Sequence, residues 1–123
     1  QPATSFASNF IGSANLVPVE ITDSAQGPVA KLEDGQVLHL DPNEAIRGKA
    51  TLALRQEDLT LSANGMGLKA KVRTRVFLGA RNRYVMSLAG HPLRALTAND
   101  LDFANGQEIA LAIDPARIRV IAD

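Results

Sequence analysis

The segment Arg55-Gln56-Glu57-Asp58 places a guanidinium, an amide and two carboxylates within four residues, between the apolar runs TLAL and LTLS. Two neighbouring acids can do general acid–base chemistry when a cleft and a nucleophile or base accompany them. The sequence shows neither, and the same residues fit a tight turn in which Glu57 and Asp58 favour the free N–H groups at its start. We therefore favour a structural corner, and keep an enzyme centred on Arg55, Glu57 and Asp58 as an alternative.

Other catalytic and metal-binding patterns are missing from the sequence. The chain has no cysteine, and its two histidines, His39 and His91, are far apart with no carboxylate at a useful spacing. The nucleophile elbow G-x-S-x-G, the phosphate-binding loop and the dinucleotide fingerprint are also absent. We therefore predict no catalytic residue and no metal site.

A possible basic contact face follows the stretch LKAKVRTRVFL, whose alternation predicts one apolar and one cationic side. The cationic side comprises Lys69, Lys71, Arg73 and Arg75. A single-stranded nucleic-acid binder interleaves aromatic side chains with such a stripe, but here only Phe77 could point outward, because Tyr84 should face the core. We favour a solvated or protein-contact face, with a small anion or nucleic acid as alternatives.

The elements that must position these residues are predicted to be strands. The chain has 123 residues, of which 46% are hydrophobic and 4% aromatic, and its 13 cations balance its 13 acids. These values predict one domain with an aliphatic core. The balanced charges give no overall positive potential that would favour nucleic acid. Nine or ten short apolar runs, separated by turn signals, predict an all-β fold, either one small β-barrel or a pair of barrels.

Three details of the strands can be predicted. Pro18 should place its strand at a sheet edge, and Asp34-Gly35 should form a type I′ hairpin turn. For the hairpin around Gly79 we expect a three-residue loop or a bulge, because a strict two-residue loop would set Val76 against Arg83.

The first residues, QPATSFASNFIG, predict a short helix. Pro2 suits a first turn, Phe6 and Phe10 fall on one face, and Gly12 is a plausible stop. Such a helix is too short to be stable alone in water, so its phenylalanines should dock on another part of the protein.

Four stretches of the chain, in this order, are TSFASNFIGSANLVP, LALRQEDLTLS, VRTRVFLGARNRYVMSLAG and GQEIALAIDPARIRVIAD. Together they resemble the TOBE-type C-terminal domain of ABC importer ATP-binding subunits. LALRQEDLTLS is similar to the family's V-R-P-E-D/H-L-x-L-S, with Gln56 in place of the usual proline. TSFASNFIGSANLVP, VRTRVFLGARNRYVMSLAG and GQEIALAIDPARIRVIAD resemble three further stretches, in a style nearest to polyamine, iron and phosphonate importers. The matching residues that we take as structural motif positions are Phe10, Gly12, Asn15, Arg55, Glu57, Asp58, Phe77, Gly79 and Tyr84.

The resemblance implies an organisation and a role. Residues 1–13 would be a linker helix from an ATPase domain, and residues 14–123 an OB-like barrel with no ATPase activity and no cofactor of its own. The parent subunit would use ATP and Mg²⁺. Partners would be the parent ATPase domain, a second copy in a homodimer and, indirectly, a membrane permease, but no nucleic acid. The location would be cytoplasmic, peripheral to the inner membrane.

The resemblance leaves one further class of function open. A free-standing OB-like domain could bind a small oxyanion or single-stranded nucleic acid through the basic contact face. Strong salt dependence of binding, and its loss on charge reversal at Arg73 and Arg75, would distinguish this alternative.

Overall fold

The described residues of the computed structural model, 14–98 and 102–123, form an all-β domain of ten strands. The predicted helix over residues 1–13 lies outside these ranges. The strands are β1 (Ala14–Ser24), β2 (Gly27–Lys31), β3 (Val37–His39), β4 (Gly48–Arg55), β5 (Thr60–Ser62), β6 (Leu68–Leu78), β7 (Arg81–Leu88), β8 (His91–Ala98), β9 (Glu108–Ala112) and β10 (Arg119–Ala122). Two short 3-10 turns, the first corner (Gln56–Asp58) and the second corner (Pro115–Arg117), complete the structure.

Two antiparallel five-stranded sheets enclose one core. Sheet A has the order β10-β4-β1-β2-β3 and sheet B the order β5-β9-β6-β7-β8. Alternate side chains enter the core because a strand turns successive residues to opposite faces; along β7 the inward residues are Asn82, Tyr84, Met86 and Leu88. The predicted all-β, OB-like architecture is confirmed, as is the burial of Tyr84.

The strand that contains Pro18 is central and not at an edge, so this prediction was wrong. β1 lies between β4 and β2 in sheet A. Its pairing with β2 covers only residues 20–24, whereas its pairing with β4 covers residues 14–21. One flank of β1 therefore has no ladder partner at Pro18 within the described segments, and a residue without an N–H can be accommodated there.

The turn at Asp34-Gly35 is not of type I′, which requires a positive φ at both central residues. Gly35 has φ +93°, but Ala89 is the only non-glycine residue with a positive φ in the described ranges. The N–H of Gly35 donates to the carbonyl of Leu32 at 3.0 Å. The hairpin thus closes through a longer loop that ends in a left-handed glycine, a common alternative.

The hairpin between β6 and β7 has both a two-residue loop and a β-bulge, which the sequence analysis treated as alternatives. Its loop has only two residues, Gly79 and Ala80, and Val76 does face Arg83. The register then shifts at Arg73, between Val72 and Thr74, as a β-bulge. One extra residue in a strand reverses which side chains point inward beyond it. The bulge therefore lets Val72 enter the core opposite Met86 although Val76, on the far side of the bulge, faces outward.

We predict that Ala89→Asn stabilises the domain. Ala89 and Gly90 form the two-residue loop between β7 and β8, with φ of +51° and +83°, the conformation in which Asn-Gly is preferred. Since alanine is disfavoured there and asparagine tolerates it, the free energy of unfolding in urea should rise by about 1 kcal/mol. Ala80→Asn, in a loop position without positive φ, is the matched control. An equal gain at Ala80, or a loss at position 89, would contradict the explanation.

Candidate functional site

The segment Arg55–Asp58 is a corner through which the chain passes from sheet A to sheet B. Arg55 ends β4, Gln56–Asp58 form the first corner, and β5 begins at Thr60. Arg55 and Glu57 are exposed, and Asp58 is largely covered, with 13% of its side chain accessible. The acids lie in the first turn of the 3-10 segment, where a negative charge is favoured.

The second corner returns the chain from sheet B to sheet A and contacts the first. It follows β9 and precedes β10, and the side chain of Asp114 caps it by accepting from the N–H of Ala116 at 3.0 Å. Arg117 Nη1 lies 3.6 Å from Asp58 Oδ1. Asp58 therefore connects the two corners at which the chain passes between the sheets. This contact explains an acidic residue at position 58 without a catalytic role.

The two acids of the corner should respond differently to neutralisation. Asp58→Asn removes a partly covered carboxylate beside Arg117 and should lower the free energy of unfolding by about 1 kcal/mol. Glu57→Gln changes an exposed side chain and should stay within about 0.5 kcal/mol. Urea unfolding of both variants tests this. A larger loss at Glu57 than at Asp58 would contradict the structural role.

Asn15 links the two sheets through its side-chain amide. Its Oδ1 accepts from the N–H of Arg94 at 2.7 Å, and its Nδ2 donates to the carbonyl of Arg94 at 2.7 Å and to that of Leu54 at 3.1 Å. β8, which contains Arg94, is an edge strand of sheet B. The buried amide thus forms the hydrogen bonds with the edge of sheet B that the peptide group of a neighbouring strand would form. Asn15 itself belongs to β1, in sheet A.

Gln36 makes an equivalent link that the sequence analysis missed. Its Oε1 accepts from the N–H of Lys69 at 2.6 Å, and its Nε2 donates to the carbonyl of Lys69 at 3.0 Å. The pairing of β6 with β7 begins only at Lys71, so Gln36 satisfies backbone groups that the ladder leaves over. An amide after Asp34-Gly35 is a weak sequence signal, and nothing in the sequence indicates its partner.

The bulge at Arg73 divides the predicted basic contact face. Lys69 and Lys71 point outward on one side of β6 and are exposed. Beyond the bulge, Arg75 faces Tyr84 across the ladder and so lies on the inner side. The prediction that all four cations share one face was therefore wrong, because the alternation is interrupted at Arg73.

Three neighbours hold Arg75 on the inner side of β6. It pairs with the carboxylate of Asp102, and its guanidinium lies 4.5 Å from the ring centroid of Phe77. Hydrogen bonds to Tyr84 and Asp102 raise the pKa of Arg75 above its ordinary value, which keeps it charged. Because Arg75 is already engaged, it is a poor candidate for binding a separate anion.

The aromatic motif residues have structural partners too. Tyr84 accepts a hydrogen bond at its hydroxyl from the N–H of Phe103 at 3.0 Å, and the two rings meet edge-on at 5.5 Å. Phe77 was predicted to point outward from the sheet, but the bulge at Arg73 places it on the inner side, opposite Asn82, where it is nevertheless exposed. Gly79 has φ +77° at the first position of its two-residue loop, the place for glycine in a type II′ turn. Phe10 and Gly12 lie outside the described residues.

Metal-binding groups are not clustered in the described parts of the chain. No group of three or more histidine and acidic side chains there could hold a metal ion. His91 contacts a carboxylate that is distant in sequence: its Nε2 meets Oε1 of Glu33, in the β2–β3 hairpin. This pair links a hairpin of sheet A with one of sheet B.

Two of the surface grooves formed by the described residues contain no residue of the first corner. One, of about 430 Å³, is lined by charged residues of both signs, including Glu20, Lys31 and Lys49. The other, of about 380 Å³, is mainly apolar and includes Val37, Met66 and Ile113. Across residues 14–98 and 102–123, no helix has the length and apolar character needed to cross a bilayer.

The chain is similar in sequence to ATP-binding proteins of importers. The chain is 35% identical over 85 residues to the Fe(3+) ions import ATP-binding protein FbpC of Rhizobium etli, covering 68% of this chain and 24% of that relative. It is 26% identical over 129 residues to the spermidine/putrescine import ATP-binding protein PotA of Ruegeria pomeroyi, covering 99% of this chain and 35% of that relative. The chain thus spans about a quarter to a third of the length of these curated relatives.

A solved structure shares the fold. The cytoplasmic molybdate-binding protein ModG, with molybdate bound, superposes with a TM-score of 0.73 at 10% identity, over 89% of this chain and 96% of ModG. The TOBE domain profile matches residues 52–121, a segment that begins in β4 and includes both corners and all of sheet B. This chain belongs to the TOBE domain family.

Proposed function

We propose that this chain is the accessory domain of the ATP-binding subunit of a bacterial ABC-type importer, where it regulates the subunit and joins two copies of it. The observation that carries the proposal is the TOBE domain match over residues 52–121, within which Arg55, Glu57 and Asp58 form a structural corner. The matched relatives are import ATP-binding proteins. Because the chain corresponds to only part of each relative, ATP and Mg²⁺ would be bound by a separate ATPase domain in the cytoplasm.

A stiff barrel suits this accessory role. The amides of Asn15 and Gln36 connect sheet A to sheet B at two strands, β8 and β6, and Asp58 and Arg117 join the two corners. A domain connected in this way can transmit a displacement caused by a contact at one of its surfaces to the subunit attached to it. An effector that binds the barrel would bias the subunit only if its affinity differs between the two states.

The proposal predicts two results for the 123-residue chain. Isothermal titration with MgATP should show no micromolar binding, because nucleotide chemistry would reside in the ATPase domain. Sedimentation velocity over a range of micromolar concentrations should show a monomer–dimer equilibrium. Micromolar affinity for MgATP would overturn the accessory role, whereas a strictly monomeric chain would remove the joining role alone.

A second candidate function is the binding of a small oxyanion. Two observations favour it: the shared fold with the molybdate-binding ModG, and the cations of β6, of which Lys69, Lys71 and Arg73 are exposed. Titration with molybdate at low and high salt tests it. Binding that is strongly salt-dependent and lost on charge reversal at Arg73 would support this candidate, and an absence of heat at low salt would exclude it.

A further inference from the structure

The outer side of β6, β7 and β8 is an exposed sheet face in which arginines alternate with aliphatic residues. Cross-strand partners share a face, and the register sets Leu78 beside Arg81, Val76 beside Arg83 and Leu96, and Val85 beside Arg94. Their neighbours along β7, Asn82 and Tyr84, are buried in the core. We call this surface the arginine face, defined by Val76, Leu78, Arg81, Arg83, Arg94 and Leu96.

The aliphatic residues of the arginine face are incompletely covered. Val76 and Leu78 are 44% and 43% exposed, although each lies in a regular strand. Scattered exposed apolar residues are normal, but adjacent ones bordered by charges are typical of interaction sites. This arrangement matches an interface core in which arginine is enriched among apolar side chains.

Arg83 stands at the centre of the face with an unmet hydrogen-bonding group. Its Nε is buried and has no hydrogen-bond partner in the described segments, and its cross-strand neighbours are Val76 and Leu96. A guanidinium presents its N–H groups in a planar fork that fits a carboxylate. Because Nε is buried, the Arg83 side chain would have to turn toward a partner carboxylate, with which it would form a charge-assisted pair in a mostly apolar setting.

The charge of the surrounding strands restricts what can dock there. Residues 68–98 contain seven cations and no acidic residue. The cations are Lys69, Lys71, Arg73, Arg75, Arg81, Arg83 and Arg94. A two-fold contact between copies would bring this same patch against itself, and so arginines against arginines, which is repulsive.

Nucleic acid fits the face poorly. A single-strand binder needs aromatic platforms among its cations, but Tyr84 is buried and Phe77 pairs across the ladder with Asn82, on the inner side of the sheet. The aliphatic residues between the arginines would have no partner in a phosphate backbone. A protein surface supplies both carboxylates and apolar side chains.

We propose that the arginine face is a docking surface for a partner protein that presents carboxylates among aliphatic side chains. Arg83 is the central contact, and Val76 and Leu78 supply apolar area on one side of it. The inference rests on this face alone, so it stands or falls separately from the accessory role in an importer subunit.

The test measures fluorescence anisotropy of the 123-residue chain with a short labelled peptide of alternating glutamate and leucine. The peptide should bind, and Arg83→Gln should weaken binding about tenfold to a hundredfold, the range for a lost charge-assisted hydrogen bond. Arg83→Lys, which keeps the charge but loses the fork, should give an intermediate affinity. Lys31→Gln removes an exposed cation from sheet A and should leave the affinity within about twofold.

Matched apolar controls separate the face from general hydrophobicity. Val76→Ser should weaken binding, whereas Val37→Ser, at a valine that is 47% exposed on β3, should not. Circular dichroism establishes that each variant is folded. The proposal is overturned if the peptide does not bind, if a lysine–leucine peptide, oligo-dT or phosphatidylserine vesicles bind more tightly, or if Arg83→Gln abolishes self-association of the chain instead.

Discussion

Replacing Gly67 with alanine should lower the free energy of unfolding by about 4 kcal/mol, near the upper end for single substitutions. Gly67 precedes β6 and has φ +141°, a conformation that residues with a side chain rarely adopt. A Cβ at this position would lie 2.1 Å from the carbonyl oxygen of Leu111 and 2.9 Å from its carbonyl carbon. Because both atoms belong to the backbone of a central strand, β9 or β6 would have to move.

The control for Gly67 separates the steric clash from the backbone conformation. Gly106 also has a positive φ, +85°, but a Cβ there would meet nothing within 4 Å. Gly106→Ala should therefore lose only about 1 kcal/mol, the cost of an alanine in that conformation. Urea unfolding of both variants measures the difference. Equal losses would show that the approach to Leu111 has no energetic consequence.

Replacing Asn15 with aspartate should lower the free energy of unfolding by about 3 kcal/mol or more, as for a buried charge left without a partner. The new side chain has nearly the same shape and can still accept from the N–H of Arg94. It can no longer donate to the carbonyls of Arg94 and Leu54, which lie 2.7 and 3.1 Å from Nδ2. A carboxylate would then face two carbonyl oxygens.

The loss at Asn15 should depend on pH in a way that packing damage would not. In acid the new carboxyl regains a hydrogen, and with it a donor, so the deficit relative to the original protein should shrink. Unfolding by urea at neutral and acidic pH measures this. Asn64→Asp, at an exposed position, serves as control and should change little at either pH. A deficit at Asn15 that is independent of pH would contradict the bridging role of its amide.

The features that could be predicted from the sequence are those that depend on near neighbours. The alternation in β7 predicted the burial of Tyr84, because a strand turns every second residue inward. The apolar runs on either side of Arg55–Asp58 indicated that this segment turns between strands. In both cases the information lies within a few residues of the feature.

The features that sequence reasoning missed depend on distant partners or on one extra residue. The bulge at Arg73 inverts the rest of β6, and no residue type there indicates it. Asn15 and Gln36 bond to backbone groups 79 and 33 residues away, and any residue type can supply such groups. His91 meets Glu33 at a separation of 58 residues. Only the closure of the two sheets brings these groups together.

The most direct test of the account is the coding sequence upstream of Gln1 in the parent gene. If the chain is the accessory domain of an importer ATP-binding subunit, that sequence should continue in frame into an ATPase domain with a phosphate-binding loop and the L-S-G-G-Q signature. An in-frame start close to Gln1 with no ATPase domain before it would contradict the account.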